Sequence, residues 1–180
     1  MKKNFIYHEI FGRSYNAAVQ RSQTYKKNAP KKDRIELQRF LKNYLEKTVI
    51  KLYKNKVYDQ KHLKVIEEIS NILSEKFSSI LYQKRFRIGT SQKILNLYLK
   101  YLWSLDIIKE PPHMPIDNII LQRLKKLSGK NSNSILDENW TKLDSIEKYS
   151  NIIQAAKKII TGSISEWELK EWLDEVEYGN

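Results

Sequence analysis

The 180-residue chain has no cysteine. That excludes a disulfide scaffold, a cysteine-ligated zinc site and a thiol nucleophile, and it fits a reducing, cytoplasmic setting. Glycine occurs 5 times and proline 4 times, leaving little punctuation for strands and tight turns. No run approaches the roughly 20 apolar residues that cross a bilayer, so no membrane partner is expected. The basic start, Met1 to Glu9, lacks the apolar core and small-residue cleavage site of a secretory leader. A phosphate-cradling glycine loop is missing, as is a Gly-x-Ser-x-Gly elbow. His8, His62 and His113 lie far apart without helical pairing, which argues against a histidine metal site. Kinase, serine-hydrolase and zinc-protease chemistry are set aside on these grounds, and neither a metal nor a cofactor is expected.

Acidic residues are scarce in the first part of the chain. The net charge is +12, from 33 Lys/Arg and 21 Asp/Glu. Residues 1–104 hold 23 cations against 8 acids, a net +15, whereas residues 105–180 hold 10 against 13, a net −3. Uneven charge of this kind is what a face that meets a polyanion needs. The plain alternative is a lysine-rich compositional bias. Most of the 11 tyrosines lie among those lysines, which suits nucleic-acid contact.

Hydrophobic periodicity is helical nearly throughout, predicting an all-α domain of about seven helices. A first helix is expected from Ser14 to about Lys27, and a second opens after Pro30 with Leu37, Leu41, Leu45 and Val49 on one stripe. Asp59 is the expected N-cap of a third helix carrying Ile66, Ile69, Leu73 and Phe77. These make a basic part, residues 1–88. The remainder, 89–180, holds a glycine turn and then a helix over 91–105 that is apolar almost all round and belongs at the centre of the domain. Later helices are expected from about Asp144 to Thr161, closed by Gly162, and from Ser165, where Ser165-Glu166-Trp167-Glu168 has capping-box spacing.

Two features bear on chemistry. Lys84, Arg85 and Arg87 crowd in front of Gly89, Thr90 and Ser91, at the start of the central helix. Helix N-terminal amides attract anions and a glycine admits a phosphate closely, so these six residues are candidate nucleic-acid contacts. A capped turn with solvated cations is the alternative. The second is Asp117, just after Pro115, at the start of the next helix. It is either a reactive carboxylate or an ordinary N-cap. Lys93, Asn96 and Lys100 form a polar line on the central helix, expected either in solvent or along a cleft wall.

Arg87-Ile88-Gly89-Thr90-Ser91-Gln92-Lys93, an apolar helix, and then Pro115-Ile116-Asp117-Asn118 resemble the helix-hairpin-helix DNA glycosylases, in particular small 8-oxoguanine-glycosylase-like proteins. The resemblance spans Gln83 to Leu127. It implies duplex DNA as partner and hydrolysis of a base–sugar bond on a flipped nucleotide. It also implies Asp117 as catalytic carboxylate, Gly89 and Thr90 with the flanking cations on phosphates, and Lys93, Asn96, Lys100, Trp103 and His113 as pocket walls. The family's first hairpin glycine is replaced by Arg87, and its Schiff-base lysine has no aligned equivalent. The alternative expectation is a non-catalytic nucleic-acid-binding protein, or an interaction protein of a phage or mobile element.

Overall fold

The computed structural model describes residues 2–129 and 134–178. Its helices are α1 (Lys2–Val19), α2 (Lys31–Tyr44), α3 (Ile50–Tyr53), α4 (Asp59–Phe77), α5 (Ile88–Ser104), α6 (Asn118–Ser128), α7 (Ile146–Ile159) and α8 (Ile164–Tyr178). A π-helical turn, Leu45–Val49, runs α2 into α3, so the eight segments form seven rods among the described residues. There is no strand among these residues, only an isolated antiparallel bridge between Tyr25 and Leu81. Among the described residues no helix is long and apolar enough to cross a membrane. The all-α class expected from periodicity is the one observed.

Helix α5 is the axis of the fold. Ile94, Leu95, Tyr98, Leu99 and Leu102 are buried on it, and α1 and α4 lie against it. Helix α2 rests on α4, and α7 touches α4, α5 and α6. Leu95, Leu99 and Leu102 are wholly inaccessible, and truncating any such leucine to alanine costs roughly 2–5 kcal/mol. The central position assigned to this helix from its all-round apolar sequence is correct, although it starts at Ile88 rather than 91.

Several expected boundaries move, each for a local reason. The first helix occupies Lys2–Val19. Ser14 is not its start: the hydroxyl donates to Ile10 O one turn back, a mid-helix bond, and Ile10, Phe11, Tyr15 and Ala18 supply the buried face. Asp59 is the first residue of α4 but does not cap it, its carboxylate being engaged elsewhere. Helix α8 is capped by Ser163, whose Oγ accepts from Glu166 N at 3.1 Å, while Ser165 donates to Pro111 O at 2.8 Å. Gly162 does separate α7 from α8, at a φ of 92° that side chains disfavour.

Candidate functional site

The turn before α5 is closed by the chain's own later segment. Ile88 N donates to Asp144 Oδ1 at 3.2 Å and Gly89 N to Leu143 O at 2.8 Å. A Cβ on Gly89 would lie 1.8 Å from Trp140 O. The glycine is therefore needed for close approach, but of a peptide carbonyl rather than of a phosphate. Arg85 Nε bonds both oxygens of Asp144, at 3.1 and 3.0 Å, and Arg85 Nη1 reaches Asn71 Oδ1. Arg87 donates to Thr141 O and Gln83 Oε1. Thr90 and Ser91 are buried, donating to Ser22 Oγ and Arg87 O. Of the six expected phosphate contacts only Lys84 stands exposed. The turn is a packing seam, and the phosphate grip expected at Gly89 is corrected accordingly.

Asp117 caps its helix and neutralises a buried lysine. Its Oδ1 accepts from Ile120 N at 3.1 Å, and its Oδ2 takes Lys93 Nζ at 2.9 Å. The Lys93 side chain is 5% exposed and that of Asp117 19%. The Lys93 ammonium also lies 4.4 Å from the centroid of a Trp140 ring, a cation–π contact. One helical turn beyond Asn96, Lys100 Nζ bonds both oxygens of Glu168, at 2.8 and 3.0 Å. Burial pushes the Glu168 carboxyl up, against the pull of Lys100.

The polar line on α5 thus faces neither solvent nor a cleft. Its one neutral member, Asn96, and the neighbouring Gln92 hold the buried connector that leads to α6. Gln92 Nε2 donates to Ile116 O at 2.7 Å, Ile116 N donates to Gln92 Oε1 at 3.1 Å, and Asn96 Nδ2 donates to Met114 O at 3.0 Å. An irregular segment buried as this one is carries peptide groups that must find partners, and α5 supplies them. The expected pocket walls also fail to ring one hollow. Lys93 and Trp103 are ten residues apart, about 15 Å along a helix. Half-buried Trp103 borders a separate hollow of about 450 Å³ together with Lys54 and Lys109.

His113 belongs to a buried chain of polar groups. Asn96 Nδ2 donates to Tyr149 Oη at 2.9 Å, and Tyr149 Oη lies 3.1 Å from His113 Nδ1. His113 Nε2 faces Asp59 Oδ1 at 3.5 Å, and Lys157 Nζ bonds both Asp59 oxygens at 2.6 Å. His62 packs edge-on against His113 and bonds Tyr53 Oη through Nδ1 at 2.6 Å. Burial pushes both imidazoles below the usual histidine range. The His113 ring, and then Lys157, hold the Asp59 carboxyl well below the usual carboxylate range. Nothing in the sequence paired these residues, because Asp59, Asn96, His113 and Tyr149 come from four different elements. Among the described residues no group of three or more His, Cys, Asp and Glu side chains could hold a metal.

Among the exposed cations without a carboxylate partner, one group lies away from these pairs. The first 58 residues hold 15 Lys/Arg and 4 Asp/Glu, a net +11 of the chain's +12. Asp117, Asp144 and Glu168, all from the acidic part, are spent on Lys93, Arg85 and Lys100 near α5. The bridge between Tyr25 and Leu81 then brings two basic segments side by side: Lys26 N donates to Ile80 O and Tyr82 N to Thr24 O, both at 3.0 Å. Arg21, Lys26, Lys27, Lys31 and Lys32 on one segment and Lys84 on the other are all exposed. None has a carboxylate within ion-pair distance among the described residues. Helix α2 begins among them, after Pro30 and without a side-chain cap, with Asp33 the acid in its first turn. The open helix N-terminus on a basic face is that of α2, not that of α5. No family model, curated protein or solved structure matches the chain.

Proposed function

We propose that this is a nucleic-acid-binding protein that holds a phosphate backbone on the face built at the α1–α2 junction, and that Asp117 serves the fold rather than base excision. The observation that carries the reading is the group of six exposed cations without a carboxylate partner on the segments joined by the Tyr25–Leu81 bridge, of which Lys26 donates to Ser79 O. Lysine and arginine heads without counterions release condensed ions from DNA when they dock, and they position a duplex without reading its bases.

The test is anisotropy of a labelled duplex between 50 and 300 mM salt. About five phosphate contacts give a slope of log K against log salt of roughly −4 to −5. The triple variant Lys27→Glu, Lys31→Glu, Lys32→Glu should abolish binding, whereas Lys158→Glu on α7 should not. No binding at 50 mM salt, or equal effects of the two variants, would reject the reading.

One contact bears on excision as a second reading: the Lys93 ammonium lies 2.9 Å from the Asp117 carboxylate, which would have to take its proton before the amine could attack. Borohydride reduction with an abasic duplex tests it. A covalent adduct lost in Lys93→Ala would restore the catalytic role; its absence leaves the pair as a structural clasp.

A further inference from the structure

A hollow of about 620 Å³ opens at the start of α4, a volume inside the roughly 300–1,000 Å³ typical of ligand pockets. Three kinds of group converge there. Lys56 and Lys109 are exposed cations with no carboxylate within ion-pair distance among the described residues. Tyr58 is 69% exposed, with Lys56 Nζ 5.5 Å from its ring centroid. Asp59 and Glu110 are carboxylates already engaged, Asp59 by Lys157, which also lines the hollow, and Glu110 by the Ser163 hydroxyl.

The wall is anchored rather than loose. Lys109 N donates to Tyr53 O at 2.9 Å, and Ser165 Oγ donates to Pro111 O at 2.8 Å. Behind Asp59 the buried His113 Nε2 points at the carboxylate without a hydrogen-bond partner of its own.

A bare anion would use the lysines and leave the ring and carboxylates idle. A purely apolar ligand would strand the charges. The lining asks for one molecule with a negative group for Lys56 and Lys109, a flat face for Tyr58, and hydroxyl or amine donors for Asp59 and Glu110. We propose that this hollow binds a nucleoside phosphate, with the base stacked on Tyr58 and the phosphate between Lys56 and Lys109. The site shares no residue with the α1–α2 face and stands or falls separately from it.

The experiment is calorimetric titration of the intact protein with adenosine 5′-monophosphate and, separately, with inorganic phosphate. The nucleotide should bind at least about tenfold more tightly than phosphate, since stacking on an aromatic side chain is worth about that much. Tyr58→Ala should weaken the nucleotide about tenfold and leave phosphate unchanged. Lys109→Ala should weaken both, and the Lys27/Lys31/Lys32 charge reversal should alter neither. Equal affinity for the two ligands, indifference to Tyr58→Ala and Lys109→Ala, or no heat up to millimolar nucleotide would each overturn the proposal. Competition with a short oligonucleotide then identifies the source. Displacement by the 5′-phosphorylated strand, but not by its 5′-hydroxyl counterpart, assigns the hollow to strand ends; displacement by neither assigns it to free nucleotide.

Discussion

Replacing Glu168 by leucine would strand the Lys100 ammonium in a site where the two side chains are 7% and 6% exposed. Breaking one partner of a buried pair costs about 3–5 kcal/mol. An independent bound comes from the escape open to lysine, which can shed its proton. From an ordinary value near 10.4, deprotonation at pH 7 costs about 3.4 × 1.36, or roughly 4.6 kcal/mol. The loss therefore cannot much exceed that figure on electrostatic grounds. Removing both charges is a different matter. Burial raises the Glu168 carboxyl while Lys100 pulls it down, and a buried ion pair replaced whole by apolar side chains of similar volume is often neutral in stability. The double variant Lys100→Met, Glu168→Leu should fall within about 1–2 kcal/mol of the parent. Urea unfolding followed by circular dichroism reads this directly. At a slope of roughly 2 kcal/mol per molar, the single variant's midpoint drops by about 1.5–2.5 M and most of it returns in the double. If Lys100 is forced neutral in the native single variant, that state binds fewer protons than the unfolded chain. Its stability relative to the parent must then rise between pH 7 and 9. A single variant costing under about 1 kcal/mol, or a double variant no better than the single, would refute the reasoning.

Other outcomes follow from the same geometry. Gly89→Ala forces a methyl group to within 1.8 Å of Trp140 O, so either the backbone of residues 140–144 or α5 itself must move, and a thermal melt should fall by several degrees. Gly12→Ala, in the interior of α1 with nothing within 4 Å of the added carbon, should instead raise stability by about 0.5–1 kcal/mol. Both buried histidines have their pKa lowered, so the folded state holds fewer protons than the unfolded one below about pH 6.5. Stability should therefore decline as pH falls through that point, by up to about 1.4 kcal/mol per pH unit for each ring, and His62→Gln or His113→Gln should flatten the curve in denaturant titrations. Asp117→Asn keeps a competent helix cap but removes the Lys93 counterion. Stability should drop while duplex affinity changes less than about twofold, and a loss of binding would show that the acid serves the interface after all.

What the sequence determined unaided is the part governed by neighbours a few residues away. Helicity follows from the 3.6-residue recurrence of apolar side chains with little glycine or proline to interrupt it. The centrality of α5 follows from its having no polar face wide enough for solvent. Even the concentration of charge in the first half is read off by counting. The roles of individual polar residues were decided only by the tertiary structure, because their partners are remote: Asp117 lies 24 residues from Lys93, and Glu168 lies 68 from Lys100. Cap and reactive carboxylate look alike in sequence when both begin a helix. A glycine before a helix looks the same whether it admits a phosphate or the Trp140 carbonyl. Which cations are left to meet a polyanion is likewise set by where the acidic half folds back, since a carboxylate can neutralise only the lysine or arginine it can reach.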